Sequence, residues 1–305
     1  MRTVIRCTLE KNGFEGIFFE GKHSPEKVII SVGGASCDEK SSVYMSRYLR
    51  RAGYNVLVLG FYLWKGLPQN LVSIPVDYAE RAVRWLKNEK GAKRIAMTGL
   101  STGAAYTLLA ASLIPEISCV IPVVPYDYIQ QATIQKGLSF RSVHKSQYTW
   151  NGKDIPYTPT DQLDKMGMLG WLNDARKAPG YGLSRSMRYG YDLIEIQQKP
   201  DARIRIENMQ ADVLFLAVKD DDAWPSDVAV PRMVRVLKDS DYPYRVEYHI
   251  YEKGSHALAD GLDKMTGYAR FALKHMLPAE KKYPKECEEA RRDSFRRVLR
   301  FLKEW

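Results

Sequence analysis

The 305-residue sequence has little cysteine and no long apolar run, and both shortages narrow the classes of protein it can represent. Its four cysteines are far apart and form no close pair, which excludes a zinc ribbon or a disulfide scaffold. We therefore expect reduced thiols and a cytoplasmic location. No segment reaches the roughly 18 uncharged apolar residues that a membrane-spanning helix needs, and the charged N-terminus lacks a signal-peptide pattern. We expect no membrane span.

The charge is unusual, because the formal net charge is +10 at pH 7. Such a surplus can indicate nucleic acid, an anionic membrane or a phosphate-bearing small substrate. Much of it is scattered, and it does not cluster with aromatic residues, so we expect no nucleic-acid partner. A run of arginines near the C-terminus is interpreted as the solvated face of the last helix. That run comprises Arg291, Arg292, Arg296, Arg297 and Arg300.

The order of apolar segments predicts an α/β fold. The chain opens with a predicted β-hairpin, in which Lys11-Asn12-Gly13 forms a tight turn between two alternating stretches. Short apolar runs then alternate with amphipathic segments, which is typical of a mostly parallel central sheet with helices on both faces. The predicted strands are 28–32, 56–59, 95–97, 119–124, 213–218 and 246–251, and the predicted helices are 43–51, 76–87, 104–113 and 228–237.

One long segment interrupts this alternation. Residues 126–200 contain little strand pattern, many aromatic residues, and glycine and proline throughout. So long an insertion in a compact domain is usually functional. We expect a single domain over residues 1–305, with 126–200 inserted as a helical cap or lid.

The strongest motif is Gly99-Leu100-Ser101-Thr102-Gly103, which follows an apolar strand and opens an apolar helix. A strand, a sharp turn and a helix in this order are the context of a nucleophile elbow. The turn strains the serine backbone, so small flanking residues are needed. This pattern predicts that Ser101 is a nucleophile in an α/β-hydrolase fold.

A serine hydroxyl needs a base, and His256 is the best of the five histidines. His256 follows the last predicted strand in a short loop before a helix, where this fold places its base. His249 lies inside a strand and His275 on an amphipathic helix, so both are interpreted as structural. His23 and His144 occur in elements where this fold does not place its base.

The third member should be a carboxylate after the preceding strand, where Asp220, Asp221 and Asp222 are adjacent. The turn in this fold usually runs G-x-x-D, which puts Val218 at the first position and Asp221 at the fourth. Asp221 is therefore the predicted acid, with Asp220 as the alternative. The order Ser, Asp, His along the chain is that of the α/β-hydrolases.

An oxyanion hole requires two backbone N–H groups beside the reacting carbonyl oxygen. One is predicted at Thr102, directly after the nucleophile. The other is expected in the glycine turn after the first core strand, at Gly34 or, as the alternative, at Ala35. No metal or organic cofactor is implied by these residues.

The motifs together resemble the C-terminal α/β-hydrolase domain shared by acyl-CoA thioesterases and bile acid-CoA:amino acid N-acyltransferases. The similar segments span nearly the whole chain outside 126–200. They are Phe61–Pro68, Ile74–Tyr78, Ala82–Leu86, Gly99–Ala104, Ile204–Met209, Asp221–Ser226 and Glu289–Phe295.

The resemblance implies a serine hydrolase that acts on an acyl ester or thioester, most similar to an acyl-CoA thioesterase. The N-acyltransferases carry cysteine at the elbow, whereas this chain has Ser101, as the thioesterases do. Val218 departs from the glycine usual before the acid. The N-terminal β-sandwich of the mammalian members is expected to be absent, because only about 25 residues precede the first core strand.

Several alternatives stay open at this point. The same residues would serve a carboxylesterase, a lactone hydrolase or a peptidase acting on an uncharged substrate, or an acyltransferase with an amine acceptor. A binding module on an inactive hydrolase fold is the alternative outside enzymes. The expected partner is a small acyl ester or acyl-CoA, and the sequence leaves the acyl chain and the oligomeric state open.

Overall fold

The computed structural model describes residues 3–136, 139–219, 221–260, 262 and 267–305. Thirteen strands lie within these residues: β1 (Val4–Cys7), β2 (Glu15–Phe19), β3 (Lys27–Val32), β4 (Asn55–Gly60), β5 (Ile74–Pro75), β6 (Arg94–Leu100), β7 (Ile117–Val123), β8 (Gln131–Lys136), β9 (Ser139–Ser146), β10 (Tyr148–Trp150), β11 (Lys153–Asp154), β12 (Asp212–Val218) and β13 (Val246–Tyr251).

The helices of the same residues are α1 (Leu9–Asn12), α2 (Glu39–Met45), α3 (Arg47–Arg51), α4 (Asp77–Lys90), α5 (Thr102–Leu113), α6 (Asp161–Lys177), α7 (Ser186–Glu195), α8 (Ser226–Asp239), α9 (Gly267–Met276), α10 (Pro278–Lys282) and α11 (Pro284–Glu304). None of the helices in the described ranges is both long and apolar enough to cross a bilayer.

A central eight-stranded sheet has the order β1-β2-β4-β3-β6-β7-β12-β13. β1, β2 and β4 pair antiparallel, and every other neighbouring pair is parallel. Helices cover both faces, so the inner strands are buried on two sides and read as continuous apolar runs. The predicted mostly parallel α/β fold is confirmed.

The parallel strands bring distant parts of the chain to one edge of the sheet. β3, β6, β12 and β13 all end at the same edge, because the carboxyl ends of parallel strands coincide. The segments that follow them contain Gly34, Ser101, Asp221 and His256 respectively. Each of these residues therefore lies within five residues of the end of a strand.

The opening hairpin is present, but its predicted Asn-Gly tight turn is wrong. A helical turn, α1, joins β1 to β2. Thr8 begins it, with its hydroxyl accepting from the Lys11 N–H at 3.4 Å. Gly13 ends it in the left-handed conformation, with φ 75° and its N–H donated to the Leu9 carbonyl. The capping bonds at Thr8 and Gly13 thus stabilise a short helical turn in place of the predicted two-residue turn.

Residues 126–200 are not the strand-poor segment expected from the sequence. Their first part contains the antiparallel pair β8–β9, and β10 continues as a small sheet with β11 and β5. Helices α6 and α7 follow. The pairing of β10 with Ile74–Pro75 is long-range, so the segment's own composition does not signal it.

Candidate active site

Ser101 occupies a strained turn between β6 and α5, with φ 58° and ψ −122°. Two glycines make this turn sterically possible. A Cβ at Gly99 would lie 2.2 Å from the Gly103 carbonyl oxygen, and one at Gly103 would lie 2.1 Å from the Gly33 carbonyl oxygen. Neither distance is tolerable, so glycine is required at both positions. The turn has the geometry of a nucleophile elbow.

Three predicted residues form one hydrogen-bonded series at this edge. The Nε2 atom of His256 is 2.8 Å from Ser101 Oγ, and its Nδ1 atom is 2.9 Å from both carboxylate oxygens of Asp221. A carboxylate only accepts, so Nδ1 carries the proton and Nε2 is left to accept from the serine hydroxyl. Asp221 is 1% exposed and the His256 side chain 13% exposed.

The Asp221 carboxylate receives further hydrogen bonds from its own turn. Ser226 donates its hydroxyl to Oδ2 at 2.6 Å, and the Ala223 N–H donates to Oδ1 at 3.0 Å. These donors satisfy the oxygens of a buried side chain and fix its orientation toward His256. Asp220, the alternative acid, lies outside the described residues.

Asp222 has a different set of contacts. Its carboxylate accepts from the Ala279 N–H at 3.0 Å and lies 3.4 Å from the Arg185 guanidinium. Burial raises the pKa of Asp222 above its usual value. Of the aspartates that the structure describes in this turn, Asp221 is the one bonded to the imidazole.

The residues predicted for the oxyanion hole flank Ser101. A Cβ on Gly34 would lie 3.7 Å from the Ser101 Cβ, so the turn after β3 runs beside the serine. Thr102 opens α5, and the Ser101 carbonyl accepts from Ala104 and Ala105 at 2.8 and 3.1 Å. Because the two ends of a trans peptide point in opposite directions, the Thr102 N–H is directed out of the helix N-terminus.

Within the part of the chain that the structure describes, the N–H groups of Gly34, Ala35 and Thr102 donate to no protein acceptor. These three donors are therefore free for an anionic oxygen. The geometry leaves Gly34 and Ala35 as alternatives for the donor in the turn.

Sequence reasoning missed the aromatic wall beside the imidazole. The Trp224 ring lies edge-on to His256 with ring centroids 5.8 Å apart, and its Nε1–H donates to the Val124 carbonyl at 2.9 Å. Tyr126 stacks on Trp224 and Tyr191 meets it edge-on, at 5.6 and 5.5 Å. The available signal was the segment Asp221–Ser226, which contains Trp224 and is one of the segments that carry the family resemblance.

Arg188 of α7 is a second residue that sequence reasoning missed. Its guanidinium donates to the main-chain carbonyl of Asp221 at 3.0 Å and pairs with Asp192 and Asp227 at 2.9 Å each. The side chain is 9% exposed. The segment 126–200 thus contacts the acid turn directly, and no local sequence pattern indicates this contact.

One of the C-terminal arginines is not on the solvated face expected for that run. Arg291 is buried and pairs with buried Glu280 at 2.5 Å, and Glu280 also accepts from the hydroxyl of Ser255, which precedes His256. Arg291 lies four turns from the chain end on the inner face of α11, where the burial of Cys287 and Ser294 marks the core side. By contrast, Arg292 is 67% exposed.

No cluster of three or more histidine, cysteine, aspartate or glutamate side chains suited to a metal ion occurs among the described residues. All four cysteines are unpaired.

Comparison with known families supports the same assignment of the fold. The family described as "BAAT / Acyl-CoA thioester hydrolase C terminal" matches residues 74–261. A mouse (Mus musculus) protein described as peroxisomal succinyl-coenzyme A thioesterase is 26% identical over 204 residues. That match covers 66% of this chain, which spans 41% of the length of the mouse protein.

Two solved structures share the fold over the whole chain. A Klebsiella pneumoniae protein described as a dienelactone hydrolase has a TM-score of 0.53 at 14% identity, with 100% of each chain covered. An esterase of Pyrococcus furiosus has a TM-score of 0.52 at 17% identity, covering 100% of this chain and 91% of its own. The fold is that of the α/β-hydrolases.

Proposed function

The chain belongs to the BAAT / acyl-CoA thioester hydrolase C-terminal family, and from this premise we propose that it is a serine hydrolase that cleaves acyl thioesters, with acyl-CoA as its substrate class. The hydrogen-bonded series from Ser101 through His256 to Asp221 carries the proposal. Such a series on a strained elbow activates a hydroxyl that is otherwise a weak nucleophile.

In the first half-reaction, Ser101 Oγ attacks the acyl carbonyl while His256 Nε2 takes the hydroxyl proton. The carbonyl π electrons move to oxygen and form a tetrahedral oxyanion. When this species collapses, the bond to sulfur breaks and the protonated imidazole returns the proton to the departing thiolate. The products are free thiol and an ester on Ser101.

Water completes the second half-reaction by the same route. His256 removes a proton from water as the hydroxide oxygen bonds to the acyl carbon. The tetrahedral oxyanion forms again, and its collapse breaks the bond to Ser101 Oγ, which recovers the proton. One carboxylic acid is released, and Asp221 stays ionised while it orients and stabilises the imidazolium.

The oxyanion would be held by the Thr102 N–H and by the N–H of Gly34, with Ala35 as the alternative. Support comes from the free state of these donors and from their position beside Ser101. Donors fixed before charge develops stabilise the transition state more than the substrate.

The acyl-CoA class is supported by the family and by the charge. The mouse relative is described as a succinyl-CoA thioesterase, and a net charge of +10 suits a substrate that carries several phosphate charges. Ser101 favours hydrolysis over acyl transfer to an amine, because the transferases of the resembled family carry cysteine at the elbow.

We assign residues 126–200 as a cap inserted into a single α/β-hydrolase domain. The support is that Tyr191 of α7 meets Trp224, which in turn lies against the His256 ring. Aromatic side chains from the insertion thus extend the wall of the site and are placed to contact an acyl group or its leaving group.

The cytoplasmic location stays a prediction. Four unpaired cysteines are expected in a reducing compartment, whereas the mouse relative is described as peroxisomal.

The test is thiol release from acyl-CoAs of graded chain length, succinyl-CoA included, beside matched p-nitrophenyl esters. Ser101→Ala is the control variant. We expect chain-length-selective CoA release that falls by at least about 10⁴-fold in the variant. The KM for acyl-CoA should rise with ionic strength while that for an uncharged ester stays constant, because salt screens the attraction between charges.

Other outcomes identify the alternatives. Ester cleavage with negligible CoA release would assign a carboxylesterase, lactone hydrolase or peptidase instead. Formation of an acyl amide with added glycine would assign an acyltransferase. If Ser101 failed to react with a fluorophosphonate and no ester were cleaved, the protein would be a binding module.

A further inference from the structure

Tyr62 lies beside the turn that follows β3. It is two residues beyond the end of β4, the parallel neighbour of β3, so the two segments leave the sheet side by side. The side chain is buried, at 5% exposure, and its hydroxyl donates to the main-chain carbonyl of Ala35. Burial raises the pKa of Tyr62, so the hydroxyl stays protonated and able to donate.

The two segments proposed for the oxyanion hole are held very differently. Thr102 belongs to a helix of twelve residues, whose backbone hydrogen bonds fix its peptide. The turn of Gly34 and Ala35 belongs to no helix or strand and so lacks a regular series of backbone hydrogen bonds. Among the described residues, its backbone bond is the one from the Cys37 N–H to the Gly34 carbonyl, at 3.1 Å.

The Tyr62 hydroxyl therefore supplies a second anchor to the weaker segment. The Gly34 carbonyl fixes the peptide before Ala35, and the Ala35 carbonyl fixes the peptide after it. The Ala35 N–H belongs to the first of these two peptides. Bonds on both carbonyls therefore restrain rotation on either side of Ala35 and hold the direction of its free N–H. The Tyr62 ring is itself held by Phe61, with ring centroids 4.7 Å apart.

We propose that Tyr62 is a positioning residue for the oxyanion hole, acting through the turn of Gly34 and Ala35. This inference rests on the proposed serine-hydrolase function and deepens it. Tyr62 does not touch the reacting atoms. Its hydroxyl keeps an N–H aimed at the oxygen on which charge develops, so its effect belongs to the transition state and not to substrate binding.

The test removes the single hydroxyl in Tyr62→Phe. The matched control is Tyr242→Phe, because the Tyr242 hydroxyl also donates to a main-chain carbonyl, that of Ala211, at 2.7 Å. Ala211 precedes β12, so this bond lies at the opposite end of the sheet from Ser101. Both variants lose one tyrosine-to-carbonyl bond, and only Tyr62 is beside the site. Tyr242→Phe also loses the bond that its hydroxyl accepts from the Ala211 N–H at 3.3 Å.

Three quantities are measured: kcat and KM for p-nitrophenyl acetate, the inhibition constant of a short trifluoromethyl ketone, and Tm. Loss of a direct oxyanion donor costs about 10²–10³-fold in kcat, so loss of its anchor should cost about tenfold. We expect Tyr62→Phe to lower kcat about tenfold with KM within about twofold of wild type. The ketone, which forms an oxyanion on Ser101, should bind about tenfold more weakly.

The control should show a comparable fall in Tm with unchanged kcat and ketone affinity. Tyr62→Phe with wild-type kcat and ketone affinity would overturn the inference, as would a loss confined to KM or a loss shared with Tyr242→Phe. A wild-type protein without turnover dependent on Ser101 would overturn the proposed function as well. The two failures are therefore distinguishable.

Discussion

At the scale of single residues, the site combines a strained backbone with a fully bonded acid. Ser101 has φ 58°, a conformation that costs a residue with a side chain about 1–3 kcal/mol. The buried strand and helix on either side offset that cost, since every residue of α5 from Thr102 to Ala111 is buried. The packing of the flanking strand and helix, and not the intrinsic backbone preference of serine, therefore holds Ser101 in this conformation.

Asp221 is the residue whose role is easiest to isolate by substitution. Asp221→Asn keeps the shape of the side chain but removes the charge that stabilises the imidazolium and can hold His256 in the wrong tautomer. We expect kcat to fall by about 10³- to 10⁴-fold with little change in KM. Steady-state kinetics on a p-nitrophenyl ester measures both quantities.

Asp220→Asn is the matched control, because it makes the same change one position earlier and tests the alternative acid. It should retain at least about half of the wild-type kcat. A large loss in Asp220→Asn with a small one in Asp221→Asn would reverse the assignment of the acid.

At the scale of elements, local sequence patterns predicted the positions of the core strands. The strand at Val246–Tyr251 agrees with its apolar run residue for residue, and the other core strands agree to within a few residues. The proximity of Ser101, Asp221 and His256 was predictable for the same reason, because each lies in the segment that follows a recognisable strand. Their hydrogen-bonded series lies where parallel strands end.

Features that depend on distant partners were not predictable. The strand β10 pairs with Ile74–Pro75, far back in the chain. Arg188 and Arg291 are basic residues whose burial depends on carboxylates from other elements. A single sequence gives the charges and the periodicity of its apolar residues, but it does not show which acidic side chain pairs with which basic one.

The contact of α7 with the acid turn leads to a prediction for Arg188. Arg188→Gln would remove the cation that pairs with the partly buried carboxylates of Asp192 and Asp227, and also the donor to the Asp221 carbonyl. We expect a loss of about 2 kcal/mol in the free energy of unfolding, below the roughly 3–5 kcal/mol of a fully buried pair, because Asp192 and Asp227 are partly exposed. The kcat should fall as well, since the acid turn loses an anchor.

Urea denaturation and ester kinetics measure the two effects. Arg292→Gln is the control on the exposed face of α11, where a surface pair contributes less than about 1 kcal/mol. Equal, small effects in both variants would mean that the insertion does not hold the acid turn.

At the scale of the whole molecule, one core connects the sheet to the C-terminal helix. Cys7 in β1 and Cys119 in β7 are both buried in it, although four strands of the sheet separate them, and Cys287 is buried on α11. These three thiols therefore lie in an edge strand, an inner strand and the C-terminal helix of the same fold. Their exposure should depend on global unfolding.

This distribution predicts slow reaction of the thiols in the folded protein. Burial raises the pKa of Cys7 to about 11 and that of Cys287 to about 12, and it raises the pKa of Cys37 and Cys119 as well. A thiol of pKa 11 is only about one part in a thousand thiolate at pH 8, and the thiolate is the reactive form.

Titration with Ellman's reagent at pH 8 should therefore detect four thiols rapidly in urea but fewer than one in the native state over the same minutes. Cys37, the least buried of the four, should react first, and Cys37→Ser should remove that phase. The labelling rate of the other three should rise with urea along the same transition as the far-UV circular dichroism, because their access requires the core to open. Rapid labelling of Cys7, Cys119 or Cys287 while the dichroism stays native would show that the strand or helix that contains that cysteine opens separately from the rest of the fold.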